Sequence, residues 1–481
     1  MSGLEAVEVS FIDVLKNKDF RVDTQFYTTQ LKRNSVLQYR KIGDCLTRSQ
    51  YGISIEMNEN GIGYPIYRMN EITNMLCDLY VNKTAQISQE EFETFKLNAG
   101  DVLFNRTNSY DFVGRTGVYY PNVQDESKIF ASYLVRFVPN SIKINSEYLA
   151  AFLSCKYGVQ DVKRRARQSI NQTNVNPEEV KEIEIPLLCD GLQNKIRKCF
   201  QTAHTLRVDA DRFYKDAEQL LLSELGLTNF SPSTEPVAVK SFSDSFGTSG
   251  RLDAEYYQPK YEDIEKAFDK FDRVALSAIV NYPISSGITP KAGGDDYTDF
   301  TNGIPFIRAV DIVGGVVDLK SCNYIKPEIH NGILKRTQLK DDDVLLSIAG
   351  TVGRCGIYSN NGDGNINQAV AILRFDETLV KRLYLVVFFN STIGNQFVSK
   401  YARHGVQTNL NLAEVGSLRI PIIDSGKQHK LSKMVQQSFA LRRQSEQLLE
   451  VAKHAVEMAI EEGECKAIEF IKSNTANLME V

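Results

Sequence analysis

The sequence predicts an α+β protein in which two tandem mixed α/β domains are separated by two long antiparallel coiled-coil helices, with pseudo-two-fold symmetry. Two observations lead to this fold class: the halves of the chain match each other, and each half closes on a long segment with heptad spacing. The length agrees, because 481 residues exceed the roughly 250 to 300 at which a single core stops growing.

The repeat is clearest at the two ends of each half. Near the start, Arg21-Val-Asp23-Thr-Gln-Phe26-Tyr27 matches Arg251-Leu-Asp253-Ala-Glu-Tyr256-Tyr257 at a shift of 230. Near the end, QTNVNPEEVKEIEIP at 172–186 aligns with QTNLNLAEVGSLRIP at 407–421 at a shift of 235, and Gln193 and Gln428 follow at the same shift. Agreement of this length and order indicates a duplicated domain.

Between these ends, each half contains matching strand and turn patterns. The stretch 63–72 aligns with 303–312, and both are typical of a turn, a strand and a turn. The stretch 97–103 matches 339–345, and 114–119 matches 353–358. Each half is therefore predicted to hold a strand, a polar loop whose length differs between the halves, and a glycine-rich turn into another strand.

Apolar residues then recur at steps of three and four in both halves. They run from Ile196 to Leu220 and from Leu431 to Ala455, without glycine or proline. A seam held for about four heptads is typical of a coiled coil, and roughly 30 residues make a rod on the order of 45 Å long. We expect the two helices to pack on each other, antiparallel; the alternative is that each helix lies on its own domain.

These patterns give the predicted domain boundaries, with a linker rich in Ser, Thr, Pro and Gly between the halves. We place the first domain at 1–190, its helix at 191–226, the linker at 227–250, the second domain at 251–426, its helix at 427–465 and a C-terminal tail at 466–481.

Composition predicts a folded, soluble chain. Hydrophobic residues make up 42% and charged residues 24%, and the longest apolar run, Leu383 to Phe389, is too short to span a bilayer. The N-terminus has no secretory leader pattern, so we expect a cytoplasmic protein. The eight cysteines and five histidines show no zinc-ligand spacing, which predicts reduced, packing cysteines and no metal site. With a net charge of −4, any nucleic-acid contact must come from local patches.

The familiar motifs for catalysis do not occur in the sequence. It has no P-loop, nucleophile elbow, dinucleotide fingerprint or Pro-Pro-aromatic tetrad of amino-methyltransferases. The most suggestive carboxylates are Asp341, Asp342 and Asp343, but the matching segment of the first half has only Asp101, and aspartates before a strand usually form a turn. We therefore predict a chain that is not an enzyme. The alternative is a self-contained enzyme that uses these aspartates on a nucleic acid or sugar.

Two basic segments are candidates for contacting DNA phosphates. The first, on a predicted helix, supplies Lys163, Arg164, Arg165 and Arg167, and its counterpart in the second half retains Lys400 and Arg403. Such side chains could neutralise phosphates and so supply sequence-independent affinity. The alternative is an ordinary solvated helix face.

Polar loops in equivalent places are candidates for reading base edges. The loops at 105–111 and 347–351 both join a strand to the Gly-Arg turn, and they differ where the surrounding scaffold agrees. Their Asn, Arg, Ser and Thr side chains can pair with base edges in the major groove. A further polar loop at 285–291 has a counterpart that begins at 51–54. The alternative is ordinary drift of surface loops. The candidates are Asn105, Arg106, Asn108, Ser109, Tyr110 and Arg115 in the first half, and Ser285, Ser286, Thr289, Lys291, Ser347, Thr351 and Arg354 in the second.

The duplicated domain with its long helix, the Ser-Gly-Ile-Thr-Pro run at 286–290, the G-x-P-x-x-R pattern and the I-P-x6-Q signature together resemble one family. It is the specificity subunit of Type I restriction-modification enzymes. The resemblance extends from about Arg21 to Glu462. It implies two target-recognition domains that each read one half of a bipartite DNA sequence, with the helices setting the gap.

The resemblance also implies partners. Two modification subunits would bind S-adenosylmethionine and methylate adenine, a restriction subunit would complete the complex, and this chain would hold neither a cofactor nor an active site. A coiled-coil scaffold with no role on DNA is the third hypothesis.

The family's scaffold positions carry over to both halves. They are Gln172, Asn174, Pro186 and Gln193 in the first half and Gln407, Asn409, Pro421 and Gln428 in the second. The first half departs from the Ser-Gly-x-Thr-Pro pattern, since it has Tyr51-Gly-Ile-Ser54, and this leaves open where its first loop begins.

Overall fold

In a computed structural model of the chain, residues 1–210 with 440–481 form one compact unit, and residues 211–439 form another. Each unit therefore combines the domain of one repeat with parts of both long helices. The structure describes residues 7–15, 20–28, 34–121, 127–170, 172–291, 294–320, 322–360, 362–403, 405 and 407–476.

The first unit is built around a six-stranded sheet backed by two helices. The central strand is wholly buried, as its run of Val, Leu and Phe favours. The helices are Ser146–Ser154, which packs on this sheet, and Lys156–Arg165. The strands lie in the order Leu46–Tyr51, Leu134–Pro139, Val102–Asn105, Thr116–Val118, Leu76–Cys77 and Ile72–Thr73.

Smaller sheets and short helices complete this unit. One sheet pairs Tyr39–Lys41 with Glu184–Pro186, so the start of the domain meets its end. The other strands are Ile129–Phe130 with Tyr64–Tyr67 and Thr84–Ala85, and Arg167–Gln168 with Thr173–Asn174 and Thr107–Asn108. The short helical segments are Phe11–Leu15, Thr24–Thr28, Ile42–Cys45, Gln89–Phe95 and Pro177–Lys181.

The second unit repeats the strand order of the first. Its six-stranded sheet runs Ser285–Ser286, Val370–Leu373, Val344–Ser347, Cys355–Ile357, Val316–Val317 and Ile312–Val313. The helices Arg382–Asn390 and Thr392–Tyr401 correspond to the helix pair of the first unit. The remaining strands are Arg273–Ala275 with Arg419–Pro421, and Tyr297–Thr298, Asn323–Ile325, Ile304–Ile307 and Asn365–Ile366. The shorter helical segments are Phe246–Ser249, Ala254–Tyr257, Pro259–Phe268, Leu276–Ile279, Ala309–Asp311, Pro327–Asn331, Lys335–Thr337 and Leu412–Ser417. Both units thus have the mixed α+β character that the sequence predicts.

The two long helices span Asp190–Glu224 and Ser425–Glu462, and another helix, Glu464–Thr475, occupies most of the expected tail. Each long helix is followed by a left-handed glycine, Gly226 (φ 68°) and Gly463 (φ 98°). Such a residue commonly ends a helix because it needs no Cβ. Along both predicted seams every position is buried or partly buried.

Within each unit, segments of the two repeats run antiparallel. In the first unit, the Ser445 hydroxyl donates to the Ala203 carbonyl at 2.7 Å, and Glu464 accepts from the backbone N–H of Cys189. In the second unit, the rings of Tyr214 and Phe439 lie 6.5 Å apart. There Lys427 also pairs with Glu224 at 2.7 Å. In both units, a higher residue number in one segment is paired with a lower residue number in the other, as expected for two antiparallel segments.

Each unit also joins a domain to the long helix of the other repeat. The backbone N–H of Lys156 donates to Glu457 Oε1 at 2.8 Å, and Glu218 accepts from the backbone N–H of Thr392. Lys156 and Thr392 begin equivalent helices, so both N-termini receive a carboxylate, which satisfies an open N–H group and complements the helix dipole. Neither arrangement expected for the long helices included this contact.

All eight cysteines are free thiols, and six of them are buried. In the part of the chain that the structure describes, no helix has both the length and the apolar character to cross a membrane. Over the same ranges, no three His, Cys, Asp or Glu side chains are grouped so that they could hold a metal ion.

Candidate nucleic-acid interface

The polar loop of each domain is the tip of a β-hairpin. In the first domain, the backbone N–H of Asn105 donates to the Arg115 carbonyl, and that of Gly114 donates to the Asn105 carbonyl, both at 2.8 Å. In the second domain, Ser347 makes the same two bonds with Arg354 and Gly353, at 2.8 and 3.0 Å. Nine residues separate Asn105 from Arg115, whereas six separate Ser347 from Arg354. The predicted strand, loop and turn are confirmed, with unlike tips on the same base.

A glycine seats each hairpin on the neighbouring helix. Gly114 has φ 90°, and a Cβ there would lie 2.7 Å from Val162 Cγ1. Gly353 has φ 95°, and a Cβ there would lie 2.8 Å from Asn395 Nδ2. Both positions need glycine for conformation and for space, which explains the shared Gly-Arg turn.

The Gln-Thr-Asn segment of each domain pairs with the hairpin tip. Next to Asn174, the backbone N–H of Val175 donates to the Arg106 carbonyl at 2.9 Å. Next to Asn409, the backbone N–H of Leu410 donates to the Ile348 carbonyl at 2.8 Å. Backbone bonds therefore hold the tip in both domains, and in the first domain the Thr107 hydroxyl adds a bond to Asn174 Oδ1 at 2.6 Å.

An arginine pairs with the opposite edge of that segment in both domains. Arg167 is opposite Asn174 in an antiparallel ladder, and Arg403 is opposite Asn409 in an equivalent bridge. Hairpin tip, Gln-Thr-Asn segment and arginine thus lie side by side. We call this three-part surface the clasp.

The I-P-x6-Q signature fixes the start of each long helix. Gln193 accepts from the backbone N–H of Asn145 at 2.9 Å and donates to the Leu188 carbonyl at 2.8 Å. Gln428 makes the matching bonds with Lys381 and with Ile423, at 2.9 and 3.0 Å.

The signature proline contributes its carbonyl group. The Tyr148 hydroxyl donates to the Pro186 carbonyl at 2.6 Å, and Tyr384 donates to that of Pro421. Burial raises the pKa of both tyrosines, so the hydroxyls remain proton donors. The signature glutamine and proline therefore fix the junction between each domain and its long helix.

Two candidate base-reading residues are buried in the hairpin instead. Asn105 donates to the carbonyls of Met69 and Phe112 and accepts from the backbone N–H of Thr107. The Ser347 hydroxyl donates to the Thr351 carbonyl at 2.5 Å and accepts from the backbone N–H of Arg354 at 2.8 Å. Both side chains support the loop from inside.

The first tip presents cations against aromatic rings. The Arg115 guanidinium lies 4.1 Å from the Phe112 ring centroid, and the Lys163 ammonium lies 4.5 Å from that of Tyr110. Burial lowers the pKa of Lys163. Asn108 is partly exposed, and Ser109, Tyr110 and Arg115 are exposed. Arg106 stacks over the Tyr51 ring at 5.2 Å, which links the two loops of this domain.

The basic segment of the first domain divides in two, because its helix ends at Arg165. Arg164 and Arg165 are buried and pair with Asp161 at 2.7 and 2.9 Å, and burial lowers the pKa of Arg165. Arg167, which was expected on the helix, lies on the following strand and is exposed.

The counterpart segment of the second domain divides in the same way. Lys400 is mostly buried and donates to Glu265 Oε1 at 3.0 Å, whereas Arg403 is exposed. The outward-facing arginine follows the helix in both domains.

The Ser-Gly-x-Thr-Pro loop has a true counterpart in the first domain. A Cβ on Gly287 would lie 1.7 Å from the Ile366 carbonyl oxygen, and a Cβ on Gly52 would lie 2.2 Å from that of Ala131. Both glycines press on a neighbouring strand at the shift of 235, so the Tyr51-Gly-Ile-Ser54 run is equivalent to 286–289. Ser285 and Ser286 pair with Ile372 and Ala371 in the sheet, Arg354 is partly exposed, and Thr289, Lys291 and Thr351 are exposed.

Glu179 and Glu414 contact the exposed arginines, Arg167 and Arg403, and were not among the residues predicted from the sequence. Arg167 Nη2 donates to Glu179 Oε1 at 3.2 Å, and Arg403 Nε donates to Glu414 Oε1 at 3.0 Å. Each glutamate stands three residues after a helix-capping asparagine, and in the second domain Asn411 and Glu414 form a full capping box. The Asn-x-x-Glu spacing was the signal that could have found them.

The aspartate cluster is a turn with one buried member. Asp343 accepts from Arg374 Nε at 2.6 Å, as Asp101 accepts from Arg136 Nη1 at 3.1 Å in the first domain. Asp341 accepts from the backbone N–H of Asn360. This duplicated ion pair gives Asp343 a structural role.

Known proteins match parts of this chain. A family model described as a Type I restriction modification DNA specificity domain matches residues 35–205. The putative type I restriction enzyme MjaX specificity subunit of Methanocaldococcus jannaschii is 24% identical over 322 residues, which cover 66% of this chain and 68% of that protein. The type I restriction enzyme EcoBI specificity subunit of Escherichia coli is 28% identical over 174 residues, 36% of this chain and 35% of that protein.

Solved structures were matched as well. The HsdS subunit from Thermoanaerobacter tengcongensis is 15% identical with a TM-score of 0.29, and the match covers 91% of this chain and all of that one. The Type-I restriction-modification system S subunit from M. genitalium is 11% identical with a TM-score of 0.38, over 92% of this chain and 98% of that one.

The sequence matches agree with the family resemblance carried by the repeated motifs of the two halves. The matched relatives are specificity subunits, which confirms the prediction of a non-catalytic specificity subunit over that of a self-contained enzyme. By these matches the chain is similar to specificity subunits of Type I restriction-modification enzymes, and residues 35–205 match that family's DNA specificity domain.

Proposed function

We propose that each domain reads one half of a bipartite DNA target and that the long helices set the gap between the half-sites. The observation that carries the proposal is the clasp: both domains hold the hairpin by the same backbone bonds, but the tips differ in length and in side chains. Two readers of unlike half-sites require this combination, since phosphate contacts position a protein and base contacts specify the sequence.

The solvent exposure of each candidate side chain decides which role we propose for it, a direct contact with DNA or support of the reading surface. Direct contacts are proposed for the exposed or partly exposed residues, and the buried ones are assigned to support of the reading surface. The proposed contacts are Arg106, Asn108, Ser109, Tyr110, Arg115, Lys163 and Arg167 in the first domain and Ser285, Ser286, Thr289, Lys291, Thr351, Arg354 and Arg403 in the second. The supporting residues are Asn105, Arg164, Arg165, Ser347 and Lys400.

The helices are proposed to form an antiparallel coiled coil that relates the two domains by a pseudo-two-fold axis. The buried seams and the antiparallel contacts inside each unit support this arrangement. Helices of 35 and 38 residues are about 52 and 57 Å long, which exceeds the roughly 34 Å of one DNA turn.

Partners follow from the family. In this proposal the chain docks onto two modification subunits, which bind S-adenosylmethionine and methylate adenine in the two half-sites, and a restriction subunit completes the complex. The chain itself holds no cofactor and acts on double-stranded DNA in the cytoplasm.

Sequencing of adenine methylation across the genome, in a strain with the gene and in one without it, tests the proposal. One bipartite motif should disappear with the gene. An unchanged set of methylated motifs would contradict the proposal.

A loop exchange tests which domain reads which half. Replacing residues 106–113 while keeping Asn105 and Gly114, which close the hairpin, should alter one half-site and leave the other intact. Glu90→Ala, an exposed change outside the clasp, is the control and should leave both half-sites unchanged. A motif altered in both halves, or in neither, would show that this hairpin does not read one half-site.

A further inference from the structure

The Arg-x-Asp-x-x-aromatic-Tyr motif that opens each repeat directs one arginine inward. In the first domain, Arg21 pairs with Asp23 at 2.7 Å, and the Tyr27 hydroxyl donates to the Arg21 carbonyl at 2.8 Å. Arg21 Nη1 lies 3.8 Å from Glu179 Oε2, the same carboxylate that holds Arg167 at 3.2 Å. The result is a chain of alternating charges that ends on the exposed Arg167.

The second domain contains the same chain of charges. Arg251 Nε donates to Asp253 Oδ1 at 2.8 Å, and the Tyr257 hydroxyl donates to the Arg251 carbonyl at 3.0 Å. Arg251 Nη1 lies 3.9 Å from Glu414 Oε1, which accepts from Arg403 at 3.0 Å. The distances between the charged groups are nearly equal in the two domains, although the loops of the domains differ. This agreement indicates that the charged groups have the same role in both domains.

From the inner arginine outward, exposure rises steeply along each chain of charges, whereas the aspartates at the other end, Asp23 and Asp253, are 45% and 43% exposed. The inner side chains, Arg21 and Arg251, are 12% and 13% exposed, and the glutamates are 14% and 16% exposed. The outer arginines, Arg167 and Arg403, are 58% and 69% exposed. The inner arginine compensates the nearly buried carboxylate, so the outer arginine can direct its charge to a ligand without leaving the glutamate unpaired.

The register of the clasp locates the outer arginine relative to the hairpin tip. Thr107, Asn174 and Arg167 are opposite one another on three adjacent strands. At about 4.8 Å per strand, the arginine backbone lies about 10 Å from that of the tip. The major groove is about 12 Å wide, so an arginine at this distance reaches the phosphates that border a groove entered by the tip.

We propose that Glu179 and Glu414 are positioning residues, each of which holds an outer arginine, Arg167 or Arg403, against a phosphate of duplex DNA beside the groove that its hairpin reads. The inner arginine of the repeated motif neutralises the glutamate so that it does not repel the DNA. This inference rests on the proposed function and gives a role to the motif that opens both repeats. A held arginine also loses less side-chain freedom on binding than a mobile one.

The test uses the full chain in complex with its modification subunits and a DNA duplex that carries the methylated motif. Binding is measured by fluorescence anisotropy from about 50 to 200 mM salt, since each phosphate contact adds about 0.9 to the slope of log K against log salt. Arg167→Gln should reduce the slope by about 0.9 and weaken binding about eightfold at 0.1 M salt. Arg167→Lys, which keeps the charge, should retain part of that slope.

Glu179→Gln separates positioning from general stability. In the wild-type background it should weaken binding by about two- to tenfold, the effect of releasing one side chain. In an Arg167→Gln background it should cause no further weakening, because the positioned group is gone. Glu178→Gln is the matched control, since Glu178 is the preceding residue on the same short helix and pairs with Lys181. Glu414→Gln with Arg403→Gln repeats the comparison in the second domain and replaces it if a first-domain variant does not fold.

The outcomes are distinct. The inference is overturned if Glu179→Gln binds like Glu178→Gln, or if it weakens binding equally with and without Arg167. If the wild-type complex shows no preference for the motif duplex over a scrambled one, the proposed function itself fails.

Discussion

Asp343→Asn is expected to destabilise the second unit without a direct effect on methylation. The Asp343 carboxylate accepts from the backbone N–H of Lys340 at 2.8 Å and from two nitrogens of Arg374. An asparagine keeps the shape but removes the charge, so Arg374 loses its counter-ion. The equivalent change in the first unit is Asp101→Asn, opposite Arg136.

Burial of the two ion pairs determines how much each substitution lowers the free energy of unfolding. Asp101 and Arg136 are 4% and 1% exposed, and burial lowers the pKa of Arg136 even beside the carboxylate. Removing one partner of such a pair costs about 3–5 kcal/mol. Arg374 is 24% exposed, so water can solvate it in part when the carboxylate is lost. Asp343→Asn should therefore lower the free energy of unfolding by less than Asp101→Asn does, by about 2–3 kcal/mol. At about 2–4 °C per kcal/mol, its Tm should fall by roughly 4–12 °C.

Thermal unfolding of the full chain, followed by methylation assays well below the Tm, measures both consequences. Asp342→Asn is the control, since Asp342 is exposed at φ 70°, a conformation that asparagine tolerates. We expect Asp101→Asn to lower the Tm most, Asp343→Asn less, and Asp342→Asn hardly at all. The reasoning is refuted if Asp343→Asn keeps the wild-type Tm and abolishes methylation, because that result would give the carboxylate a chemical role.

Further perturbations test other parts of the structure. Adding one heptad after Gln193 and one at the matching level of the second long helix lengthens each by about 10 Å, so the gap of the methylated motif should grow by about three base pairs, and an unchanged gap would contradict the spacer role. Gly287→Ala, which places a Cβ 1.7 Å from the Ile366 carbonyl oxygen, should lower the Tm in a melting experiment, whereas Gly405→Ala, in open space, should not; equal Tm values would show that the strand can yield. Burial next to Arg207 lowers the pKa of His204 to about 4, so the unfolded chain takes up a proton first as the pH falls from about 6.5 to about 4, and stability is lost over that range. His204→Phe, which introduces the residue of the matched position 439, should lessen the Tm decrease between pH 7 and pH 5, and an identical decrease would exclude His204 as its source.

Comparison of the two halves predicted the shared scaffold of the domains well, because the scaffold depends on local sequence signals that are repeated in both halves. Gln193 and Gln428 each bond to the backbone just before their own long helix and to the N-cap residue of the helix that starts at Ser146 or Arg382. Gly114 and Gly353 each occupy a left-handed turn. Each of these structural requirements restricts a single position to one residue type, and it applies in both copies of the repeat. The positions can therefore be recognised as identical residues at a constant spacing between the two halves.

Residue roles within the basic segments and loops were harder to predict, because they depend on distant partners. Lys400 is neutralised by Glu265, which is 135 residues away in the sequence. Asn105 and Ser347 look like base readers by residue type but lie inside the hairpin. For Arg164 and Arg165, the spacing of three and four residues from Asp161 did contain the information, since such pairs meet on one helix face.

Under the proposed function, the clasp would let one scaffold carry different DNA specificities at little cost in stability. The hairpin is closed below the tip by the backbone bonds of Asn105 and Ser347, so a change in tip length affects mainly the entropy of loop closure. That entropy grows with the logarithm of length, and the difference between nine and six residues amounts to only about 0.4 kcal/mol. The Gln-Thr-Asn segment pairs with the first residues of each tip, next to Asn105 and Ser347, and the outer arginine pairs with the far side of that segment, so both contacts lie near the closed base of the hairpin. Under the proposed function, a tip could therefore be replaced while the proposed phosphate contact beside it is kept, and selection for a new half-site would act on the residues that the two halves do not share.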